Sequence, residues 1–522
     1  MSTNPAAGST DAAPGALMEM LRIAAPSVAT MASYMGMQFC DRLMVKEIGP
    51  DPVYLAAHGN AAIATWTLMT FIVGMAGIIS SFVSQNLGAG RPERGAAYAW
   101  NMMWLGLGYY LVVLLPGALM APLVLRMLGH TEQLYELELQ YAVIAMVGGV
   151  FTIWAKGFHN YFFGMHRAGV VLASAVCGNL VNVVLNVVLI FGESGPPPSW
   201  PLAELFVWIS SVLHVPAMGL AGAALATVAG TAVEFAIPFV LFVGPGMARR
   251  FGTRRSWKPN AACIRDILRV GWPAGFMMLN ELLCWAYLMT FLTGHGAARA
   301  AEAAGGTAEA AARAATMANT AGFAALQWMH LSFMPALGLS IATQAVVGKA
   351  VGAGDLKGAA TRTWLGLRVA VAYMGVCGVA FYFFREELIG LFINASTPAA
   401  DAELILHLGI QILLAAAVFQ VFDATAITMS AALRGAGDTL WPGVVTIGAG
   451  WICLVGLGHV LVALRPEWGA LGPWIGAGAY FFLLALTLVG RFLGGRWRTI
   501  RLTHDDVLHN LPPDGVAPGP GV

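Results

Sequence analysis

Long apolar stretches alternate with short polar breaks along most of this chain. About twelve of these stretches, each near the roughly 20 residues that a membrane-spanning helix needs, lie between Met18 and Val489. The predicted spans cover residues 18–45, 54–86, 96–124, 134–164, 169–191, 220–243, 269–292, 316–347, 361–384, 404–433, 441–464 and 471–489. The pattern predicts an all-α integral membrane protein with about twelve transmembrane helices.

The polar breaks show that the chain is duplicated. The sequence Leu-Gly-Ala-Gly-Arg at 87–91 returns as Val-Gly-Ala-Gly-Asp at 351–355, and the same shift superposes Trp100 on Trp364. Such a repeat is typical of membrane transporters and predicts two pseudo-symmetric six-helix bundles. The predicted division is a disordered tail 1–16, a first bundle 17–245, a linker 246–261, a second bundle 262–495 and a tail 496–522.

Composition supports a membrane location, because 58% of the residues are hydrophobic and only 11% are charged. Twenty of the 28 Lys and Arg residues fall in the tails and on the loops that share their side. By the positive-inside rule both termini are cytoplasmic, which predicts a multi-pass protein of the inner (plasma) membrane. The basic linker 247–258 is expected to lie near anionic lipid headgroups rather than to bind nucleic acid.

Two long loops on the other side carry no evident chemistry. The loop 195–216 contains a short apolar stretch that predicts an interfacial helix. The Ala-rich loop 297–315 predicts helical extensions of the flanking spans.

Ionisable residues within the apolar spans are the best candidates for chemistry, because the bilayer makes them costly. Glu281 and Asp423 both lie about 15 to 18 Å deep from the cytoplasmic side, at a rise of 1.5 Å per residue. Two carboxylates close together in a poorly hydrated cavity hold a proton or a cation. They are therefore predicted to face each other and to couple transport to an ion.

The first half offers a less clear set. Asp41 lies near the outer end of the first span beside Arg42, so it is either a functional acid or one that reaches the interface. Glu234 is assigned to a hydrogen bond between helices. Lys156 and His159 are either counter-charges for a buried acid or stabilisers of a helix end. Three asparagines share one helix face and either line a polar cavity or join helices: Asn179, Asn182 and Asn186.

Several segments together resemble the multidrug and toxic compound extrusion (MATE) family, in its bacterial NorM-like branch. They are 273–281, 334–354 and 423–439 in the second half, and 38–45, 178–192 and 219–227 in the first. The resemblance implies two bundles facing a central cleft that exchange a proton or sodium ion for an organic cation. It also implies a cation site at Glu281 and Asp423 and another at Asp41 with the asparagines. The family usually has Thr where this chain has Arg42.

The predicted function is thus a secondary antiporter that exports amphipathic organic cations. Its energy would come from an ion gradient, since the chain has no ATP-binding loop. It would work as a monomer without a cofactor, and it would not be an enzyme, since no clustered nucleophile or metal motif is present. The alternative is a lipid-linked oligosaccharide flippase of related architecture, for which Lys156 is the one cation within a span.

The coupling ion is left open between sodium and a proton. Sodium is possible at Glu281 and Asp423, with Asn280 supplying an oxygen and Phe419 an aromatic face. A single buried carboxylate suffices for a proton. Gln38 is a further candidate for the substrate cavity.

Overall fold

The computed structural model describes residues 12–49, 51, 53–393, 397–500 and 502. Within them the chain forms twelve long helices and no strand. In chain order they are α1 (Ala12–Lys46), α2 (Val53–Gly88), α3 (Pro92–Met127), α4 (Glu132–Gly164), α5 (Ala168–Ser194), α6 (Gly219–Val243), α7 (Ala261–Ala303), α8 (Ala308–Gly352), α9 (Leu356–Phe383), α10 (Ala399–Ala436), α11 (Leu440–Leu464) and α12 (Leu471–Leu493). Eleven of them, α2 to α12, are long and apolar enough to cross a membrane. The all-α membrane fold predicted from the sequence is confirmed.

The duplicated Gly-Ala-Gly breaks end α2 and α8 in the same way. Gly90 and Gly354 have φ angles of 72° and 75°, a region that residues with a Cβ rarely adopt. The next helix then starts differently in each copy. Pro92 begins α3, whereas the Asp355 carboxylate caps α9 by accepting a hydrogen bond from the Gly358 amide at 2.8 Å.

Each half of the chain arranges its helices as a ring with one helix outside. In the first half α1 packs on α5, α5 on α6, α6 on α4 and α4 on α2, while α3 lies against α2 and α4. In the second half α7, α8, α10, α12 and α11 follow one another around the ring, while α9 lies against α8 and α10. The two rings correspond helix for helix, as a duplication requires.

The halves meet through two equivalent helix crossings. Gly338 on α8 lies against the backbone of Ser27 and Val28 on α1. Gly74 on α2 lies in the same way against Ala274 and Gly275 on α7. Small residues allow the helix backbones to approach closely, which is how helices associate in lipid. The crossings relate the halves by a quasi-twofold axis.

We call the side on which α1 begins and α12 ends the terminal side. There the ends of α2 and α8 are in direct contact, with Gly88 against Lys349 and Gly352 against Gln85. Three side chains add hydrogen bonds between the halves: Gln85 to the Gly435 carbonyl (2.8 Å), Gln344 to the Gly77 carbonyl (2.9 Å) and His166 to the Ala345 carbonyl (3.1 Å). The terminal side is therefore closed.

An ion-pair network lies at the same end. Glu19 on α1 accepts two hydrogen bonds from the Arg362 guanidinium on α9, at 2.7 and 3.0 Å, and one from Lys349 on α8 at 3.3 Å. These side chains are partly exposed, so each pair contributes modestly. Together they join the start of the first bundle to the second.

The segment between the halves is packed against α3. The indole of Trp100 donates to the Thr253 carbonyl at 2.6 Å, and that of Trp104 donates to the Trp257 carbonyl at 2.8 Å. The side chain of Asn260 caps α7, and its backbone N–H donates to Asn101 Oδ1 at 2.7 Å. Basic residues of this segment are exposed, but its backbone is held by the first bundle.

Helix bounds agree with the predicted spans to within a few residues at most ends, with differences at both tails. Helix α1 already begins at Ala12, inside the predicted tail 1–16, whose first residues lie outside the described part. In the second tail, Trp497 is fully buried and its ring stacks on Phe492 at 4.9 Å, so Arg496–Thr499 forms an ordered turn. The rest of that tail is not described, apart from Ile500 and Leu502.

Both long loops contain the predicted helices, and the position of the first one at the membrane interface stays a prediction. The loop after α5 contains a short apolar helix, Ala203–Val212. The Ala-rich loop is mostly helix, because α7 extends to Ala303 and α8 starts at Ala308.

Candidate functional site

The two acids predicted to couple transport both lie on helices of the second bundle. Glu281 on α7 and Asp423 on α10 are close enough to interact electrostatically. The hydroxyl of Tyr480 on α12 donates a hydrogen bond to Glu281 Oε1 at 3.0 Å. Asp423 is 7% exposed, and its carboxylate has no hydrogen bond or ion pair within the described part of the chain. Three helices of one ring thus bring two carboxylates and a phenol to one place.

A buried carboxylate without a partner must bind a proton or a cation to offset its desolvation. Arg434, further along α10, is the cation whose charge acts on Glu281, but the two groups do not form an ion pair. The site is therefore short of positive charge within the described residues, and an exchangeable ion can supply it.

The two neighbours proposed as ligands have other contacts. Phe419 is 2% exposed and packs on Phe481 of α12 with ring centroids 5.0 Å apart, so it serves hydrophobic packing here. Asn280 contacts Gly450, where α11 has an unusually wide helical turn, and its amide nitrogen has no acceptor among the described residues. Wide turns of this kind recur at functional sites in helices.

Asp41 lies in a separate polar group of the first bundle. Its carboxylate accepts a hydrogen bond from Asn186 at 2.5 Å, Asn186 bonds Asn182 at 3.3 Å, and Asn182 bonds Thr227 at 3.4 Å. The amide oxygen of Asn186 is buried and accepts no hydrogen bond from the part of the chain that the structure describes. Oxygen atoms gathered in this way are the ligands that hard cations prefer.

The remaining residues of interest in the first half are a helix-joining asparagine and two exposed side chains of α1. Asn179 donates to Ser33 on α1 at 2.7 Å and joins two helices. Gln38 is exposed, as a cavity residue requires. Arg42 is also exposed and forms no ion pair with Asp41 within the described residues. It acts electrostatically on His58 of α2 and His330 of α8. The neighbouring charge therefore does not neutralise Asp41.

Glu234 has more partners than the single hydrogen bond between helices that the sequence suggests. Tyr34 of α1 donates a very short hydrogen bond to Glu234 Oε1. Lys156 Nζ and His159 Nδ1 of α4 each lie 3.5 Å from the same oxygen. Of the two roles left open for Lys156 and His159, these contacts favour that of a counter-charge for Lys156, while His159 contacts the same carboxylate.

Sequence reasoning missed several residues of these groups. Tyr480 and Tyr34 are each the single tyrosine of an apolar helix. Nothing in their local sequence distinguishes them, and an alignment of the two halves is the signal that could have found them. Glu138 is fully buried near the start of α4, away from the terminal side, where it accepts a hydrogen bond from Asn60 at 2.7 Å and contacts His130 at 2.9 Å. Its position near a helix end concealed it, because such acids usually face water.

A duplicated ring of spanning helices, a closed terminal side and buried charged groups within each ring define the class of a multi-pass membrane transporter. The MatE family model matches residues 26–188 and 313–458, more than half of the chain. The chain therefore belongs to the MatE family, whose members are transporters and not enzymes.

Relatives of similar length support this membership. The chain is 28% identical over 493 residues to the probable multidrug resistance protein NorM of Pseudomonas aeruginosa, covering 93% of this chain and 90% of that protein. It is 27% identical over 494 residues to the protein of the same name from Pseudomonas syringae pv. tomato, covering 94% and 96%. These matches agree with the predicted NorM-like branch.

Solved structures confirm the fold. A multidrug resistance MATE family transporter of the MOP superfamily, in an outward-facing conformation, gives a TM-score of 0.75 at 21% identity and covers 92% of this chain and 96% of its own. A MOP superfamily transporter from Pyrococcus furiosus gives 0.73 at 21% identity, covering 92% and 95%.

Proposed function

We propose that this protein is a secondary antiporter that exports amphipathic organic cations in exchange for sodium ions or protons. The observation that carries the proposal is the meeting of Glu281 and Asp423 inside the second bundle, with Asp423 lacking a hydrogen bond or ion pair within the described residues. The names of the NorM relatives, which call them probable multidrug resistance proteins, support the kind of substrate.

The coupling follows from competition for one negatively charged site. An organic cation and a small ion both neutralise the carboxylates. When both are present each binds with lower affinity, so binding of one promotes release of the other. The bundles must then reopen on the other side before the site exchanges its occupant. Closing of the terminal side through α2 and α8 is one half of that cycle.

The orientation is part of the proposal. The terminal side carries most of the Lys and Arg residues, so we assign it to the cytoplasm. The closed terminal side then corresponds to a state from which substrate leaves the cell. Asp41 and its asparagines form a second ion site of the same transporter, open to the outer half of the first bundle.

The names of the NorM relatives favour export over the flippase alternative. Recognition of a lipid pyrophosphate needs available cationic groups, and in this state Lys156, the cation that this alternative invoked, contacts Glu234 and Tyr34.

Transport of a fluorescent cation into inverted vesicles tests the proposal. A sodium gradient and a proton gradient are imposed separately, and one of them should drive transport. Glu281→Gln and Asp423→Asn should abolish it at unchanged membrane abundance. Glu138→Gln is the matched control, since it neutralises a buried carboxylate that keeps its Asn60 and His130 partners. Normal transport by both site variants, or transport driven by ATP with both gradients collapsed, would contradict the proposal.

A further inference from the structure

The quasi-twofold axis relates the Glu234 group to the Glu281 group. The sequences Leu-Arg-Ile-Ala-Ala-Pro at 21–26 and Leu-Arg-Val-Gly-Trp-Pro at 268–273 align α1 with α7, which places Tyr34 at the position of Glu281. The two equivalent crossings of α1 with α8 and of α2 with α7 use the same alignment.

The last helices of the two bundles align as well. Gly222 of α6 packs closely on Leu189 of α5, and Gly472 of α12 faces Leu461 of α11 at the corresponding place, at a larger distance. This alignment places Tyr480 one helical turn from the position of Glu234. Each bundle therefore contains a tyrosine–glutamate hydrogen bond between its first and last helix, with the two residues exchanged between helices.

The third member of each group differs in charge. In the second bundle it is Asp423 on α10, and in the first it is Lys156 on α4, the helix that corresponds to α10. The second group holds two acids, and Arg434, whose charge acts on Glu281, forms no ion pair with it, so the group needs a cation from outside. The first holds one acid and one base, so Lys156 supplies the positive charge that the second group must take up.

The ammonium of Lys156 is bound as a free organic ammonium would be. Its Nζ lies 4.2 Å from the centre of the Tyr34 ring, 3.0 Å from the Tyr34 hydroxyl and 3.5 Å from Glu234 Oε1. An aromatic face beside a carboxylate is a common way to bind ammonium groups. The recognition elements of an ammonium site are thus complete, and part of this chain occupies them.

Lys156 is also the member of the group that can leave. Its side chain is 24% exposed, against 5% for Glu234 and 3% for His159. A lysine has a flexible stem and its ammonium is strongly hydrated, so it can move to a wetter place. The Nε2 atom of His159 lies 3.2 Å from the Ser174 hydroxyl, and this hydrogen bond holds the imidazole in place. Departure of Lys156 alone would leave a buried carboxylate uncompensated, which is costly unless another cation arrives.

We propose that Glu234, Tyr34 and Lys156 form a binding site for the ammonium group of an organic amine, in which Lys156 is a built-in competitor. The incoming ammonium takes the place of Nζ on Glu234 and on the Tyr34 ring, and Lys156 moves toward the cleft. Net charge at the site is unchanged by the exchange. The inference deepens the proposed export of organic cations by assigning one binding site, and it rests on that function.

Binding of n-propylammonium tests the site, because this ion matches the part of Lys156 that Lys156→Ala removes. Isothermal titration of the purified full-length protein needs no ion gradient. Lys156→Ala should bind the probe at least about tenfold more tightly than the unaltered protein, about 1.4 kcal/mol. Adding Glu234→Gln should remove that gain. Lys258→Ala, which removes a lysine of the linker, should change nothing.

Two further variants keep the outcome interpretable. Lys156→Arg keeps the charge and should fold, and its guanidinium should hold Glu234 more firmly, so propylammonium should bind at least about tenfold more weakly than to the unaltered protein. Adding Glu281→Gln to Lys156→Ala should leave the gain intact, which separates this site from the second bundle. A failure of ion-coupled efflux with the gain present would affect the proposed function only.

The inference is overturned by either of two results. One is equal affinity of the Lys156→Ala and Lys156→Arg variants for propylammonium. The other is a gain that persists after Glu234→Gln.

Discussion

Closure of the terminal side should depend on the absence of side chains at Gly88 and Gly352. A Cβ at Gly88 would lie 2.9 Å from the Ala353 backbone nitrogen, and one at Gly352 would lie 2.6 Å from Gln85 Cα. Backbone atoms cannot rotate away as a side chain can. Gly88→Ala should therefore force α2 and α8 apart in the closed state while leaving a separated state unaffected.

Overpacking of this kind costs about 1–3 kcal/mol. If the cost applies only to the closed state, the equilibrium shifts toward opening on the terminal side by about 5- to 150-fold. Alanine otherwise favours a helix over glycine by about 1 kcal/mol. Gly88→Ala should thus destabilise the closed state, whereas an ordinary glycine-to-alanine change within a helix stabilises the helix.

Cysteine labelling in lipid nanodiscs measures the opening. Ser84 is fully buried beside Gly348 at the closed interface, and its hydroxyl bonds only within its own helix, so Ser84→Cys is a suitable reporter once the six native cysteines are replaced. Gly88→Ala should raise its rate of reaction with a polar maleimide by about 5- to 150-fold. Gly108→Ala on α3, where a Cβ meets open space, is the control. Equal labelling rates in both variants would refute the reasoning.

Three other predictions concern single groups. Asp41→Asn should reduce vesicle transport less than Asp423→Asn, because Asp41 keeps an amide partner in Asn186 and Asp423 has none within the described residues; an equal loss would reverse this ranking. Glu19→Gln should raise labelling of Ser84→Cys by about 2- to 30-fold, since its two partly exposed ion pairs contribute about 0.2–1 kcal/mol each. The increase in labelling caused by Glu19→Gln should vanish at high salt, and an increase that persists would show that packing and not charge accounts for it. Trp497→Ala should destabilise the protein by about 3–5 kcal/mol in thermal unfolding, whereas Arg498→Ala should not.

Much of the architecture was determined by the sequence alone. The apolar stretches set the positions of the spans because a bilayer admits only helices whose backbone groups bond within the helix. The repeated Gly-Ala-Gly breaks predicted the duplication, and the structure shows their reason at Gly90 and Gly354, where the backbone takes positive φ. The costs of burying charge also selected Glu281 and Asp423.

The partners of these groups were decided only by tertiary structure. Spacing along a helix specifies which residues share a face, as it did for Asn182 and Asn186, but not how that helix is rotated against another one. Tyr480, Tyr34 and Lys156 reach their acids from helices far away in the sequence. The sequence therefore left Lys156 with two possible roles, and the packing of α1, α4 and α6 brought it to Glu234. Contacts between distant helices depend on the whole packed bundle, because no local pattern encodes them.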